Sequence, residues 1–163
     1  MVIVVIGPMG CGKSTIGELL AAQIGGDFDD ADDFHPPENV GKMKDGIPLT
    51  DEDRAGWLEI LAERIKEKQR QGRDLVLACS ALKQTYRDVL GVNQTDVVSI
   101  YLKGSRALLE ERLASRSHQY MNDDLLTSQL QTMEEPAGGI IIDIGDTPDK
   151  LVETIVQKLD LKR

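Results

Sequence analysis

A chain of 163 residues with 40% hydrophobic and 29% charged residues has the composition of a globular protein rather than a disordered one. Its net charge of −9 argues against a nucleic-acid-binding surface, and its two cysteines give neither a disulfide framework nor metal-ligand spacing. The apolar run at residues 2–6 is too short to span a membrane and lacks the basic flank of a secretory signal. We therefore expect a cytoplasmic protein with no membrane or nucleic-acid partner.

Strand and helix patterns alternate along the chain. In order, we predict a strand at residues 1–6, a helix at 14–24, a weak strand near 28, a helix at 51–71, a strand at 74–79, a helix at 83–90, a strand at 97–102, a helix at 105–116, a strand at 139–144 and a helix from 148. This alternation predicts an α/β fold of three layers, with a mainly parallel sheet flanked by helices. We expect one domain at residues 1–163, with a late helical lid at roughly 117–136.

Start signals support two of these helices. Thr50 has the character of a helix cap, and the acidic residues 51–53 would lie at the positive end of the helix that it opens. Thr147 and Pro148 follow the favoured order of a cap and then a proline. Trp57 falls on the apolar face of the helix that Thr50 opens, so we assign it to the core.

The loop after the first strand has the pattern G-x-x-x-x-G-K-[ST] at residues 7–14. Its glycines allow successive backbone N–H groups to turn toward one phosphate, and the following helix adds its positive end. Lys13 would reach the β- and γ-phosphates of ATP, and the Ser14 hydroxyl would ligate Mg²⁺. The predicted nucleotide-binding residues of this P-loop are Gly7, Gly10, Cys11, Gly12, Lys13, Ser14 and Thr15.

Cys11 has two interpretations. It could be a small side chain that fills the loop, or a reactive thiolate whose pKa is lowered by the helix N-terminus. The sequence favours the first.

A P-loop alone does not separate kinases from GTPases. GTPases read guanine with N-K-x-D after a strand, whereas residues 93–96 read Asn-Gln-Thr-Asp, lack the lysine and precede a strand, so we interpret them as a turn. The chain has the length of a small P-loop kinase, and Arg112 and Arg116 share one helix face near the predicted lid. Such arginines could bind nucleotide and stabilise the charge of the phosphoryl group in transfer.

Four carboxylates at residues 29–33 follow the weak second strand and would lie beside the P-loop. A solvated acidic turn is the usual meaning of such a run. A carboxylate there could instead orient the hydroxyl that receives the phosphoryl group and accept its proton.

Several strings closely resemble the signature of the gluconokinase family, over residues 1 to about 146. They include Asp30-Ala31-Asp32-Asp33-Phe34-His35-Pro36, Asp53-Arg54, Trp57-Leu58, Cys79-Ser80-Ala81-Leu82-Lys83, Tyr86-Arg87, Tyr101-Leu102-Lys103-Gly104 and Ser128-Gln129. The resemblance implies a fold like that of shikimate kinases and an enzyme that uses ATP and Mg²⁺ to phosphorylate D-gluconate at its 6-hydroxyl, giving 6-phosphogluconate and ADP. Family members are commonly dimers, so a homodimer is also implied.

The resemblance implies roles for the catalytic residues. Asp32 would bind the reacting hydroxyl, Asp30 would lie in the second shell of Mg²⁺, and Lys13 and Arg116 would act on the transferred phosphoryl group.

The remaining matches concern the acceptor. Arg54, Lys83 and Arg87 could each pair with the carboxylate of gluconate or with a phosphate. His35 could bond a substrate hydroxyl or cap the segment that follows it.

One string departs from the family pattern. The lid of the family usually shows Arg-x-x-His-Phe-Met, whereas residues 116–121 read Arg-Ser-His-Gln-Tyr-Met, with the histidine one position early. Two other functions stay open: a kinase for another small acceptor, such as shikimate or a related sugar acid, and a P-loop protein that holds ATP without transferring phosphate.

Overall fold

The computed structural model describes residues 1–94, 96–115 and 123–162. In chain order the elements are β1 (Val2–Ile6), α1 (Lys13–Ile24), β2 (Asp27–Asp30), a 3-10 helix (Ala31–Phe34), α2 (Pro37–Lys44), α3 (Asp51–Arg70), β3 (Leu75–Ala78), α4 (Gln84–Leu90), β4 (Val97–Lys103), α5 (Arg106–Ser115), α6 (Asp123–Thr132), β5 (Ile140–Asp143) and α7 (Pro148–Lys162). The strands and long helices that we predicted are confirmed within a few residues.

The strands form a parallel five-stranded sheet in the order β2-β3-β1-β4-β5. The first strand is central, with Val2 opposite Leu75 of β3 and Val97 of β4. Because parallel strands end at the same edge, the loop after β1 and the turn after β2 come to one side of the sheet, where ligands of such folds bind. The α/β fold that we predicted is confirmed.

The two faces of β1 divide the core. Ile3 and Val5 pack in a cluster with residues of α1, α5, α6 and α7. Val2, Val4 and Ile6 pack on the opposite face with residues of α3 and α4. Side chains that alternate along a strand point to opposite faces, so a strand that is apolar throughout is buried between two helical layers.

The cap that we predicted at Thr50 is confirmed. Its hydroxyl accepts a hydrogen bond from Asp53 N–H, and the Asp53 carboxylate accepts one from Thr50 N–H. Asp53 also accepts two hydrogen bonds from Lys42 Nζ, at 2.9 and 2.8 Å. Because Lys42 lies on α2, this pair fixes the short helix against the start of α3.

The sequence pattern gave no sign of α2. The helix has eight residues and few apolar ones, and it begins at the second of two consecutive prolines, so helical periodicity could not reveal it. Proline is favoured in the first turn of a helix, which explains Pro37 there.

Within the described ranges, no helix combines the length and the apolar character that a membrane span requires.

Candidate active site

A cleft of about 720 Å³ opens at the carboxyl edge of the sheet. It is lined by Met9, Gly10, Gly12, Lys13, Ser14, Thr15, Asp30, Asp32, Met43, Ala78, Ser80, Leu125 and Gln129. The fold therefore brings the P-loop and the acidic turn to one cavity, as we expected, and α6 lines the same cavity. The lid at roughly 117–136 stays a prediction.

Two glycines of the P-loop are required by its shape. Gly12 has φ +93 and caps α1, a backbone conformation that residues with a β-carbon rarely adopt. At Gly7 a β-carbon would lie 2.8 Å from Cys11 Sγ and 3.1 Å from the Leu102 carbonyl oxygen. The loop can therefore pack against β4 only with glycine at this position.

Lys13 begins α1 and lies along the loop. Its ammonium group donates to the Pro8 carbonyl oxygen at 3.2 Å and lies 3.9 Å from Cys11 Sγ. Cys11 is buried, and burial raises the pKa of its thiol above the ordinary value, although Lys13 acts in the opposite direction. The structure therefore favours the loop-filling interpretation of Cys11 over a reactive thiolate.

Ser14 and Asp30 lie together beneath the P-loop. Ser14 Oγ donates to Asp30 Oδ2 at 3.1 Å, and Asp30 Oδ1 accepts from Asp32 N–H at 3.0 Å. Among the described residues no group of three His, Cys, Asp or Glu side chains could hold a metal ion. The pair nevertheless fits Mg²⁺, which protein sites usually hold by one or two side-chain oxygens with phosphate and water completing the shell.

Asp32 projects from the 3-10 helix into the open cleft, and 77% of its side-chain surface is exposed. The protein around the cleft still excludes part of the surrounding water, and this desolvation, together with the negative charge of Asp30, raises the pKa of Asp32. His35 and Lys13 partly oppose the shift. A carboxylate with a raised pKa is better able to accept a proton from a hydroxyl.

His35 lies next to Asp32 in a buried setting. Its ring stacks on Trp57 at 4.3 Å, and its Nε2 lies 3.9 Å from Asp32 Oδ1. Burial lowers the pKa of His35, which favours the neutral ring, and Asn39 Nδ2 lies 3.2 Å from Nδ1, which accepts its hydrogen bond when the ring proton is on Nε2. The bond to Asn39 joins two side chains, and α2 has no side-chain cap bond, so His35 does not cap the helix that follows it. The contact of His35 with a substrate hydroxyl stays a prediction.

Trp57 is in the core, as we predicted, and it also positions the acidic turn. Its side chain is buried, and the indole N–H donates to the Ala31 carbonyl oxygen at 2.7 Å. The stack on His35 and this hydrogen bond hold both ends of the 3-10 helix that carries Asp32.

Arg54 and Lys83 are brought together around Tyr86. The Arg54 guanidinium and the Lys83 ammonium lie 5.7 and 5.5 Å from the centre of the tyrosine ring. Asp51 lies 3.7 Å from Arg54 and 3.5 Å from Lys83, and it accepts a hydrogen bond from the Tyr86 hydroxyl at 2.7 Å. Both cations are about one-third exposed, so an anion could still reach them.

Arg87, which we predicted beside them, is buried instead. Its guanidinium donates to the carbonyl oxygens of Ala81, Leu82 and Glu134. Burial lowers the pKa of Arg87. These bonds fasten the loop that carries Lys83 to the segment after α6, and a contact of Arg87 with substrate stays a prediction.

Arg112 bridges two loops on the nucleotide side. It donates to the carbonyl oxygen of Cys11 at 3.3 Å and to that of Ile144 at 2.7 Å. This position beside the P-loop agrees with the nucleotide contact that we expect, which stays a prediction. Arg116 and the shifted histidine of the lid lie outside the described residues.

One lining residue had no individual role in our reading of the sequence. Gln129 on α6 accepts a hydrogen bond from Met9 N–H of the P-loop at 2.7 Å through its Oε1. A glutamine on a helix with other exposed polar residues does not by itself indicate a contact with the P-loop. The sequence offered only its place in the family-like Ser-Gln string.

Asn93, Gln94 and Asp96, the described residues of the string that we compared with a guanine-reading motif, lie in a turn, as we predicted. Asn93 and Asp96 have φ +68 and +61, and Asn93 N–H bonds the Val97 carbonyl oxygen.

Comparison with known proteins agrees with this geometry. The model of the shikimate kinase family matches residues 9–160. A protein of Dictyostelium discoideum named "Probable gluconokinase" is 41% identical, with 98% of this chain and 86% of that protein aligned. The chain belongs to the gluconokinase family.

Two solved structures support this membership. A gluconokinase from Sinorhizobium meliloti is 35% identical, with a TM-score of 0.83 over 98% of this chain and 95% of that one. A sugar kinase from a Janibacter species is 42% identical, with a TM-score of 0.87 over 98% of this chain and 94% of that one. This member of the gluconokinase family is therefore a kinase with the fold of the P-loop kinases, and it binds an ATP-type nucleotide.

Proposed function

We propose that this chain transfers the γ-phosphoryl group of ATP to the 6-hydroxyl of D-gluconate, with Mg²⁺ as cofactor. One observation carries the proposal. Asp32, with its raised pKa, lies in the same cleft as Lys13 and the Ser14–Asp30 pair, next to His35. A proton acceptor and a phosphate-binding cation thus face one cavity, which is what transfer to a hydroxyl requires.

The acceptor side fits a polyhydroxylated anion. His35 Nε2 lies 3.9 Å from Asp32 Oδ1, and the Asn39 amide contacts both His35 and the carbonyl oxygen of Asp53, so the start of α3 that carries Arg54 lies near the acidic turn. The candidate acceptor site thus has a proton acceptor, Asp32, at one end and a cation, Arg54, at the other. A sugar acid with a carboxylate at one end and a hydroxyl at the other matches this order.

Each residue of this site has a separable task. Asp32 orients the reacting hydroxyl and accepts its proton, while the Nε2–H of neutral His35 donates a hydrogen bond nearby. Arg54 and Lys83 bind the carboxylate of gluconate, which takes the place that Asp51 holds between them. Lys13 and Arg112 bind the nucleotide phosphates, and Ser14 with Asp30 would hold Mg²⁺, whose charge helps to neutralise the phosphates.

The choice of acceptor tests the proposal. In an assay of ADP release with Mg-ATP, D-gluconate should have a kcat/KM at least ~10²-fold above that of shikimate or any nucleoside monophosphate. Each ~1.4 kcal/mol of lost pairing in a buried polar site costs about tenfold, and an acceptor without the carboxylate or the distal hydroxyl loses such pairing. Equal turnover of gluconate and shikimate would contradict the proposal.

A matched preparation of Lys13→Ala controls for contaminating kinases, because it should lose the activity with every acceptor. The homodimer and the cytoplasmic location implied above stay predictions, as does the extent of the domain at residues 1–163.

A further inference from the structure

The helix α6 reaches the P-loop through Gln129. Its Oε1 accepts the hydrogen bond of Met9 N–H at 2.7 Å, although the two residues are 120 positions apart in sequence. A backbone N–H can only donate, so the oxygen of the amide must face the loop and its NH₂ group must point away. The orientation of this side chain is therefore determined by its partner.

The same peptide group is held on its other side by Lys13. The carbonyl of Pro8 and the N–H of Met9 belong to one peptide group, and Lys13 Nζ donates to that carbonyl at 3.2 Å. The peptide bonds of the described residues are trans, so this C=O and N–H point in opposite directions. Gln129 and Lys13 thus hold one peptide from its two sides.

The position of this peptide affects the cation that binds phosphate. An ammonium group has three donors, and the bond to Pro8 together with the weak contact to Cys11 Sγ fixes how the remaining donor is directed toward a phosphate oxygen. Gly10, which follows Met9, has φ +83, and a glycine at this position allows the Pro8–Met9 peptide to rotate easily. Without an acceptor for Met9 N–H, the peptide could rotate and withdraw its carbonyl from Lys13.

We propose that Gln129 is a positioning residue that fixes the Pro8–Met9 peptide and thereby sets the direction of the Lys13 ammonium. The helix that carries this acceptor completes the phosphate site only when it lies on the loop. The inference rests on the proposed binding of ATP in this cleft, but not on the identity of the acceptor.

A double-mutant cycle on nucleotide affinity tests the proposal. The variants are Gln129→Met, which has a similar length but no oxygen acceptor, Lys13→Met, and the two combined. The dissociation constant of a non-hydrolysable ATP analogue with Mg²⁺ is measured by competition with a fluorescent nucleotide, so that weak binding remains measurable. Gln129→Met should weaken binding about threefold or more when Lys13 is present, and by less than about 1.5-fold in the Lys13→Met background.

Gln131→Met is the matched control, because Gln131 lies on an exposed part of the same helix. It should leave affinity unchanged in both backgrounds. If the effects of Gln129→Met and Lys13→Met simply multiply, Gln129 does not act through Lys13 and the proposal is wrong. Thermal unfolding of each variant, and the same affinity measurements on Gln129→Ala as a second substitution, show whether a loss of affinity comes instead from a displaced helix.

The outcomes also separate this inference from the proposed function. Failure of the unsubstituted protein to bind the ATP analogue would contradict the proposed function itself. Binding with multiplicative effects would contradict the role of Gln129 alone.

Discussion

Most of the nucleotide side comes from one unbroken segment, residues 7–15, whereas the groups that we propose for the acceptor side come from three separate parts of the chain. Asp32 comes from the 3-10 helix, His35 follows it, Arg54 lies on α3, and Lys83 precedes α4. A site built from consecutive backbone groups can be recognised by spacing alone. A site built from distant side chains depends on how the sheet and helices bring them together.

The cations of the two sides also differ in their partners. On the nucleotide side, Lys13 and Arg112 donate to carbonyl oxygens of the loops. On the acceptor side, Arg54 and Lys83 pair with the carboxylate of Asp51. The carbonyl group that Lys13 contacts carries no formal charge and need not leave when a phosphate binds, whereas the Asp51 carboxylate must be displaced or shared when an anionic substrate binds. We therefore expect substitutions on the two sides to affect different kinetic constants.

The largest effect should come from the nucleotide side. Lys13→Ala should abolish transfer at every gluconate concentration, because the ammonium binds the oxygens whose charge changes in the reaction. The fold should survive, since the described contacts of Lys13 are confined to its own loop. Steady-state rates with saturating gluconate, together with thermal unfolding, measure both effects. A variant that kept more than about a tenth of the original kcat would show that Lys13 lacks this role.

A smaller but still large effect is expected at the acidic turn. Asp32→Asn keeps the shape of the side chain but cannot accept a proton, so kcat should fall at least ~10²-fold, with ATP affinity changed by less than about fivefold. Single-turnover rates and ATP titrations measure the two quantities. Because the pKa of Asp32 is raised, the unsubstituted enzyme should also lose activity as the pH falls through that raised value, when the carboxyl group becomes protonated.

Asp29→Asn is the matched control for this turn. The Asp29 carboxylate accepts a hydrogen bond from Arg64 Nε at 2.8 Å. Asp29 and Asp30 are successive residues of β2, so their side chains point to opposite faces of the sheet. Its substitution should lower the melting temperature by a few degrees and leave kcat within about threefold. Similar mild losses of kcat in Asp29→Asn and Asp32→Asn would return this turn to the solvated-loop interpretation.

The fold could be predicted from sequence because its signals are local. The fully apolar run of β1 predicts a strand buried on both faces, and Thr50 predicts the start of α3. The short helix α2 could not be predicted, because it is held by the contact of Lys42 with Asp53 and by no apolar periodicity of its own. This helix is stabilised by a contact between two elements, and the local sequence does not reveal such a contact.

The site divides in the same way. Spacing identified the P-loop, and the family-like strings identified Asp32 and the cations around the acceptor. Neither could show that the guanidinium of Arg87 turns away to backbone carbonyls, or that Gln129 reaches Met9. The bond of Arg87 to Glu134 and that of Met9 to Gln129 both depend on the position of the segment around α6 relative to the loops, which is a property of the packed molecule.

Lys83 and Arg87 are two cations that the sequence alone does not distinguish. Lys83 is one-third exposed beside Tyr86, whereas Arg87 is buried with its guanidinium bonded to three carbonyl oxygens. Lys83→Met should raise the KM for gluconate about tenfold and leave stability unchanged, because it removes a charge from the anion-binding pair. Arg87→Met should instead lower the free energy of unfolding by about 2–4 kcal/mol, because buried carbonyl groups lose their donors.

Urea unfolding and initial rates over a range of gluconate concentrations, measured on both variants side by side, test this difference. The structure ties Arg87 to the loop that carries Lys83, so a secondary rise in KM is expected in Arg87→Met, but only together with the loss of stability. A rise in KM with unchanged unfolding would show that Arg87 turns out of its carbonyl contacts to meet the substrate. The acceptor side would then contain three anion-binding cations, and Arg87 would not differ in role from the exposed pair of Arg54 and Lys83.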